Sequence, residues 1–210
     1  AAHSDFQGHQ VVGNDAAAFN NGDRDQLFFT AGIFRRNLCG GLQGGIVFDY
    51  LHDVYYYSAD VKQVRAEISA VWPGWREIGF WGAFGVGDDQ VVVPNVAAFT
   101  LQPMDQFNFF YRRYFRNGGE GRLWVGFTGQ NDFIFGGDLW IPLGTHWAVQ
   151  NNFNFTVPNE AGLAGQREES WGMTIQLVWY PGYSARASRN NPFRPLLRVA
   201  DNSVFMIGRN

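Results

Sequence analysis

Along the middle of the chain, apolar and polar residues alternate one by one over long runs. Between Gln63 and Trp72 one face carries Val64, Ala66, Ile68, Ala70 and Trp72, and the other Gln63, Arg65, Glu67 and Ser69. Successive side chains of a β-strand point to opposite faces, so this period predicts strand and not helix. The same reading applies to Ile78, Phe80, Phe84 and Val86 against Glu77, Gly79, Trp81 and Ala83. It recurs for Phe107, Phe109 and Tyr111 against Asn108, Phe110 and Arg112, and for Leu123, Val125 and Phe127 against Arg122, Trp124 and Gly126. Phe133, Phe135, Leu139 and Ile141 oppose Ile134, Gly136, Asp138 and Trp140. The cleanest run is the last, with Trp171, Met173, Ile175, Leu177 and Trp179 against Ser170, Gly172, Thr174 and Gln176. Turn residues separate these runs: Pro73-Gly74, Asn117-Gly118-Gly119, Gly129-Gln130-Asn131-Asp132 and Pro142-Leu143-Gly144. With further strands near 27–36, 42–50, 91–101 and 144–157, the pattern predicts an all-β fold. Its expected form is a single closed antiparallel β-barrel of about ten strands, within a range of 8–12. Residues 26–181 would make the barrel, flanked by extended N-terminal (1–25) and C-terminal (182–210) segments. Asn151 and Thr145 fall on the apolar register of 144–157, which predicts a bulge there or an early exit from the apolar zone.

Alternation does not say which face looks inward. A soluble sandwich turns its apolar face in, whereas a membrane barrel turns it towards lipid. The patterned runs are longer than the usual ~5–6 residues and match the ~9–11 that cross a bilayer at a tilt. Trp171 and Trp179 bracket one apolar face. At ~3.4 Å per residue and a tilt near 40° they stand about 21 Å apart along the membrane normal, close to the height of an apolar band between aromatic girdles. Trp72, Trp75, Trp140 and Trp147, near turns, are expected in the same girdle. The polar face mixes small residues with Arg65, Glu67, Glu77, Arg112, Arg122 and Asp138, which are expected to line the lumen.

Composition narrows the function classes. Aromatics make up 17% of the 210 residues, glycine contributes 26, and Lys62 is the only lysine. Such a chain is too apolar to be disordered. Its net charge of −3 gives no basic face for nucleic acid. One cysteine, Cys39, excludes a disulfide framework. The start Ala1-Ala2-His3-Ser4-Asp5 is expected to be a mature end left by a signal peptidase, so the protein is expected to be exported.

The pattern over about residues 27–180 resembles outer-membrane β-barrel proteins of diderm bacteria. The tail Asn191-Pro192-Phe193-Arg194-Pro195-Leu196-Leu197, continuing to Asp201-Asn202, is similar to the end of an uncharacterised planctomycete barrel-like family. The resemblance implies an outer-membrane or surface location. Barrels of that kind typically finish on an aromatic that closes the last strand. Here the last clean strand ends at Trp179-Tyr180, and the last aromatic, Phe205, lies well beyond it. Residues 195–207 therefore hold either an extra strand or an added device.

No catalytic or metal constellation is expected. His3, His9, His52 and His146 lack paired-ligand spacing, and Gly40-Gly41 and Gly44-Gly45 lack the lysine and helix of a phosphate loop. No cofactor is implied. Arg112 and Arg122 would either line an anion path or pair with Glu67, Glu77 and Asp138, and pairing is the preferred reading. Trp81, Phe110, Trp124 and Trp140 on the polar face leave little room for a diffusion pore. The polar N-terminal segment would fray unless tied to the lumen or to a neighbouring subunit. In the tail, Phe193, Leu196, Leu197, Val199, Val204, Phe205, Met206 and Ile207 are expected to add a strand to a partner or fill its groove. The expected function is a non-enzymatic structural subunit of an ordered envelope or extracellular, filament-like assembly, a homo-oligomer or polymer contacting lipid or copies of itself. A narrow pore for small solutes or ions is the alternative, and a secreted glycan-binding β-protein a third.

Overall fold

The computed structural model describes residues 2–7, 23–37, 39–54, 58–73, 76–93, 97–159, 169–181, 185–186 and 195–209. In chain order the strands are β1 (Ala2–Gln7), β2 (Asp23–Arg35), β3 (Gly41–Val54), β4 (Ser58–Trp72), β5 (Arg76–Gly85), β6 (Asp89–Val93), β7 (Ala97–Pro103), β8 (Gln106–Tyr114), β9 (Glu120–Thr128), β10 (Phe133–Pro142), β11 (Trp147–Val157), β12 (Ser170–Trp179) and β13 (Ile207–Arg209). No described residue is helical.

The main sheet has ten strands in the order β1-β2-β3-β4-β5-β8-β9-β10-β11-β12, each antiparallel to its neighbours. It curls into a half-barrel that is open, not the closed ring expected from the sequence. The alternation that predicts the strands is indifferent to whether the first and last of them pair, so closure was never legible from it. The run expected at 91–101 is two strands. β6 and β7 pair as a hairpin, and β13 joins β7 to make a separate three-stranded sheet. The register of β11 with both neighbours is continuous, without a bulge. Asn151 stays on the outward parity of β11, and its side-chain amide donates to the Thr174 carbonyl at 3.3 Å. The N-terminal segment contributes a strand as well, with β1 pairing along the first half of β2 from Ala2↔Phe28 to Gln7↔Asp23.

The side chains are distributed inside out. Ile33 (75% exposed), Leu123 (69%), Ile175 (68%), Phe109 and Phe127 stand on the convex face. Asp49, Glu77 and Asn108 on the concave face have no exposed surface. An apolar core exists at one end of the concavity, where Phe28, Leu51, Ala59 and Val61 meet Val91 and Leu101 of the small sheet and Ala200 and Phe205 of the tail. A second cluster, Trp81, Ala83, Phe110, Trp124 and Ile134, lies on β5, β8, β9 and β10.

Large inward aromatics fit because glycine stands opposite them. A Cβ on Gly79 would sit 2.7 Å from the Phe110 ring, and one on Gly136 2.4 Å from Trp124 and 2.3 Å from the Phe153 carbonyl oxygen. Gly121 has only ordinary contacts at 3.4 Å and beyond. Gly136→Ala should therefore lower stability by about 1–3 kcal/mol, the usual cost of overpacking a filled site. Gly121→Ala should be near neutral. Chemical unfolding curves check this; equal midpoints for the two variants would contradict the packing described.

Candidate functional site

The distinctive chemistry of the molecule lies in the concavity. The ladder places Glu77, Arg112, Arg122, Asp138 and Asn152 in one row across β5, β8, β9, β10 and β11. Two arginines side by side in that row would repel. Their charge is met by Glu67, which reaches across from β4 and accepts from Arg112 at 3.0 Å and Arg122 at 3.3 Å. At the ends of the row Glu77 takes Arg112 at 2.8 Å and the Tyr114 hydroxyl at 2.7 Å. Asp138 takes Arg122 and the Asn152 amide, both at 2.5 Å. Arg112 and Arg122 also lie over the Phe110 ring, at 4.8 and 5.6 Å from its centroid. A second network belongs to Arg65, which holds Asp49 through two hydrogen bonds of 2.5 and 2.9 Å. Thr30 and Gln63 donate to the same carboxylate at 2.6 and 3.1 Å.

The six lumen charges named from the sequence are thus brought together on the buried face, and they are paired with one another or with Asp49. The guanidinium groups of Arg65, Arg112 and Arg122 are each held by at least one carboxylate. Sequence reasoning missed Asp49, Glu120, Asn152 and Arg198. The first three share the inward parity of their strands, a signal present in the alternation, whereas Arg198 lies in a stretch with no period.

The C-terminal segment is the inner wall of this site. The Arg198 carbonyl accepts from Arg65 at 2.7 Å. Its guanidinium donates to Glu120 at 2.5 Å and lies 4.9 Å from the Trp140 ring centroid. The Ala200 N–H donates to Thr30 at 2.9 Å, and Asn202 donates to Gln26 at 2.7 Å, both on β2. On the other side of the sheet Gln176 of β12 donates to Asp201 at 3.1 Å, and Asn154 of β11 to the Ser203 carbonyl at 3.3 Å. Asp201 also accepts from the Ser203 hydroxyl, a short local bond that shapes the turn. Leu196, Leu197 and Phe205 are buried, Val204, Met206 and Ile207 half-buried, and Val199 exposed. These residues, expected to add a strand to a partner or fill its groove, lie against their own chain, where the segment adds a strand (β13) to β7. Phe193 lies outside the described residues.

The tryptophans divide. Trp72, Trp147, Trp171 and Trp179 stand exposed on the convex face, and Trp147 packs against Trp179 with ring centroids 6.2 Å apart. Trp140 does not belong with them. It points inward, packs on Tyr180, and its Nε1–H donates to the Ala185 carbonyl at 3.2 Å. Its even-numbered parity, shared with Asp138 and Gly136, decides this over its nearness to a turn. Trp75 lies outside the described residues. Among the described residues no group of three or more His, Cys, Asp or Glu is arranged to hold a metal ion.

The profile of a family of unknown function, DUF6666, matches residues 1–207. The chain belongs to this family. No curated protein matches it, and no solved structure does. For this DUF6666 member the concavity is therefore read from its own chemistry.

Breaking a buried pair leaves its partner charged and unpaired, which costs about 3–5 kcal/mol, whereas neutralising the whole cluster is far cheaper. Arg112→Met should destabilise the protein by that amount. Adding Glu67→Gln and Glu77→Gln in the same chain should recover most of the loss. Unfolding midpoints read this; a triple variant less stable than the single one would contradict the pairing scheme.

Proposed function

We propose that this chain is a non-enzymatic β-barrel of the bacterial outer membrane, a structural component of the cell envelope whose interior is filled by its own tail. The observation that carries the reading is the inverted distribution of side chains: ionised groups fully buried in the concavity, and Phe, Ile, Leu and Trp exposed over the convex face. In water such a surface far exceeds the apolar patch a soluble protein leaves uncovered. In a bilayer it is the ordinary arrangement of a barrel.

The height of the apolar face supports the same reading. On β4 the outward positions are Asp60 and Lys62 and then Val64, Ala66, Ile68, Ala70 and Trp72. On β3, paired with it, Tyr50 and His52 follow Leu42, Ile46 and Phe48. Tyr50 and His52 both bind Asp60, at 2.6 and 2.7 Å, and form a polar rim where the apolar surface stops. From Val64 to Trp72 at ~3.4 Å per residue and a 40° tilt, the face is about 21 Å tall, near the ~25 Å of a barrel's apolar band.

A membrane barrel has no lipid-exposed backbone edges, so in a bilayer the two edge strands of this open sheet, β1 and β12, would have to be covered. β1 runs antiparallel to β2, and eight successive antiparallel pairings make β12 parallel to β2. A β1–β12 contact would thus be antiparallel and would give the even strand number typical of such barrels. The paired arginines and the tail across the concavity favour a structural over a conducting role.

Full-length protein reconstituted into a planar bilayer should insert and show no steady conductance. A chain that stays soluble without detergent would contradict the membrane reading. A stable open channel would keep the membrane and contradict the filled interior.

A further inference from the structure

Exposed charge is divided between the two ends of the sheet. One end carries the turns after β2, β4, β8 and β10, at 36–40, 73–75, 115–119 and 143–146. Arg35, Arg76, Arg113 and Arg116 are exposed there, while the carboxylates of that end, Glu77 and Glu120, are buried on the concave face. Exposed Asp25, Asp60, Asp88 and Glu169 lie at the opposite end.

Within the basic rim, Arg76 of β5 and Arg113 of β8 are register partners on the convex face. Partners in an antiparallel pair have Cα atoms about 4.5–5.5 Å apart, and like charges placed so are destabilising. Among the described residues neither guanidinium has a carboxylate partner, unlike Arg65, Arg112 and Arg122 on the other face. Trp72 of β4 flanks the pair on one side, and Gly121 of β9 leaves the other flank without a side chain. The next convex rows towards the middle of the sheet are apolar: Ile78, Tyr111 and Leu123, then Phe80, Phe109 and Val125.

The occupant that matches is an anion with an apolar body attached on one side. Two adjacent guanidinium groups suit a phosphate, which each can bind through paired N–H donors. A free phosphate would leave the apolar rows unmatched, whereas the acyl chains of a phospholipid run along them. Trp72 and Tyr111 stand at the level where aromatic side chains meet headgroups. The net charge of −3 gives the chain no general attraction for anionic lipid, so any preference must come from a local arrangement.

We propose that Arg76 and Arg113 form a headgroup site for an anionic phospholipid, whose phosphate bridges the two guanidinium groups. Its acyl chains lie on the outward residues of β5, β8 and β9. The site rests on the membrane reading above and gives one place on that surface a chosen lipid.

The test reads lipid contact locally. The full chain with Cys39→Ser and Phe109→Cys, labelled with bimane, is reconstituted into phosphatidylcholine vesicles. These carry a tenth of either phosphatidylglycerol or phosphatidylcholine brominated on the acyl chains, and bromine quenches only a bimane that it touches. The site predicts about threefold or more stronger quenching by the brominated phosphatidylglycerol. Adding Arg76→Gln and Arg113→Gln should bring the two lipids level. A label at Phe48→Cys, beside the Tyr50–Asp60 rim, should see them equally throughout. Equal quenching at 109 with both arginines present would overturn the proposal and leave the membrane reading standing. So would a preference that survives the double substitution, or one equally strong at 48. No quenching by either lipid at 48 or 109 would contradict the membrane reading itself, and the proposal would fall with it.

Discussion

Every other feature of this protein depends on keeping its buried arginines paired. Moving Arg65 and Arg112 out of water costs several kcal/mol each, and attraction to a carboxylate offsets this only when the geometry is good and the remaining polar atoms are satisfied. The sheet meets the geometric part of that demand through register. Glu77, Arg112, Arg122, Asp138 and Asn152 face one another only in the pairing observed. A slip by one residue on any of these strands would turn a charge to the convex face and a Phe or Leu inward. The network therefore adds specificity more than stability, and it forces the apolar residues of the same strands to the outside.

A concave sheet lined this way does not complete itself. The tail supplies what is missing, with the Arg198 guanidinium for Glu120, its carbonyl for Arg65, and backbone and side-chain partners for Thr30, Gln26, Gln176 and Asn154. At the other end Phe205 and Ala200 join Phe28 and Leu51 with the β6–β7 hairpin in an apolar core. The lining of the concavity and the C-terminal segment are thus one structural unit, with polar contacts in the middle and apolar packing at one end.

The long strands were legible because period-2 alternation survives in any environment that distinguishes two faces. Turn glycines such as Gly118, at φ +86°, marked the breaks. The lumen charges were legible for the same reason: Arg65, Glu67, Glu77, Arg112, Arg122 and Asp138 sit at inward positions of clean runs. Two kinds of feature were not. Trp140 stands near a turn, where a girdle residue is expected, but parity turns it inward onto Tyr180 and Ala185. The tail has no period, and its partners lie up to 176 positions away, as for Asn202 and Gln26. Nothing local in Pro195–Val204 distinguishes docking on its own sheet from docking on a neighbour's. The split of 91–101 into β6 and β7 escaped for a related reason, since an apolar stretch without strict alternation does not show where it turns.

The central claim is that the convex face meets lipid while the concave face is closed off. A nitroxide scan along β12 in phospholipid vesicles, placed one position at a time from Ser170 to Trp179 in a Cys39→Ser background, tests it most directly. The account predicts a two-residue period in collisions with oxygen dissolved in the bilayer, high at 171, 173, 175, 177 and 179 and low at the positions between. Uniform accessibility to a water-soluble reagent, or a period of the opposite phase, would contradict it.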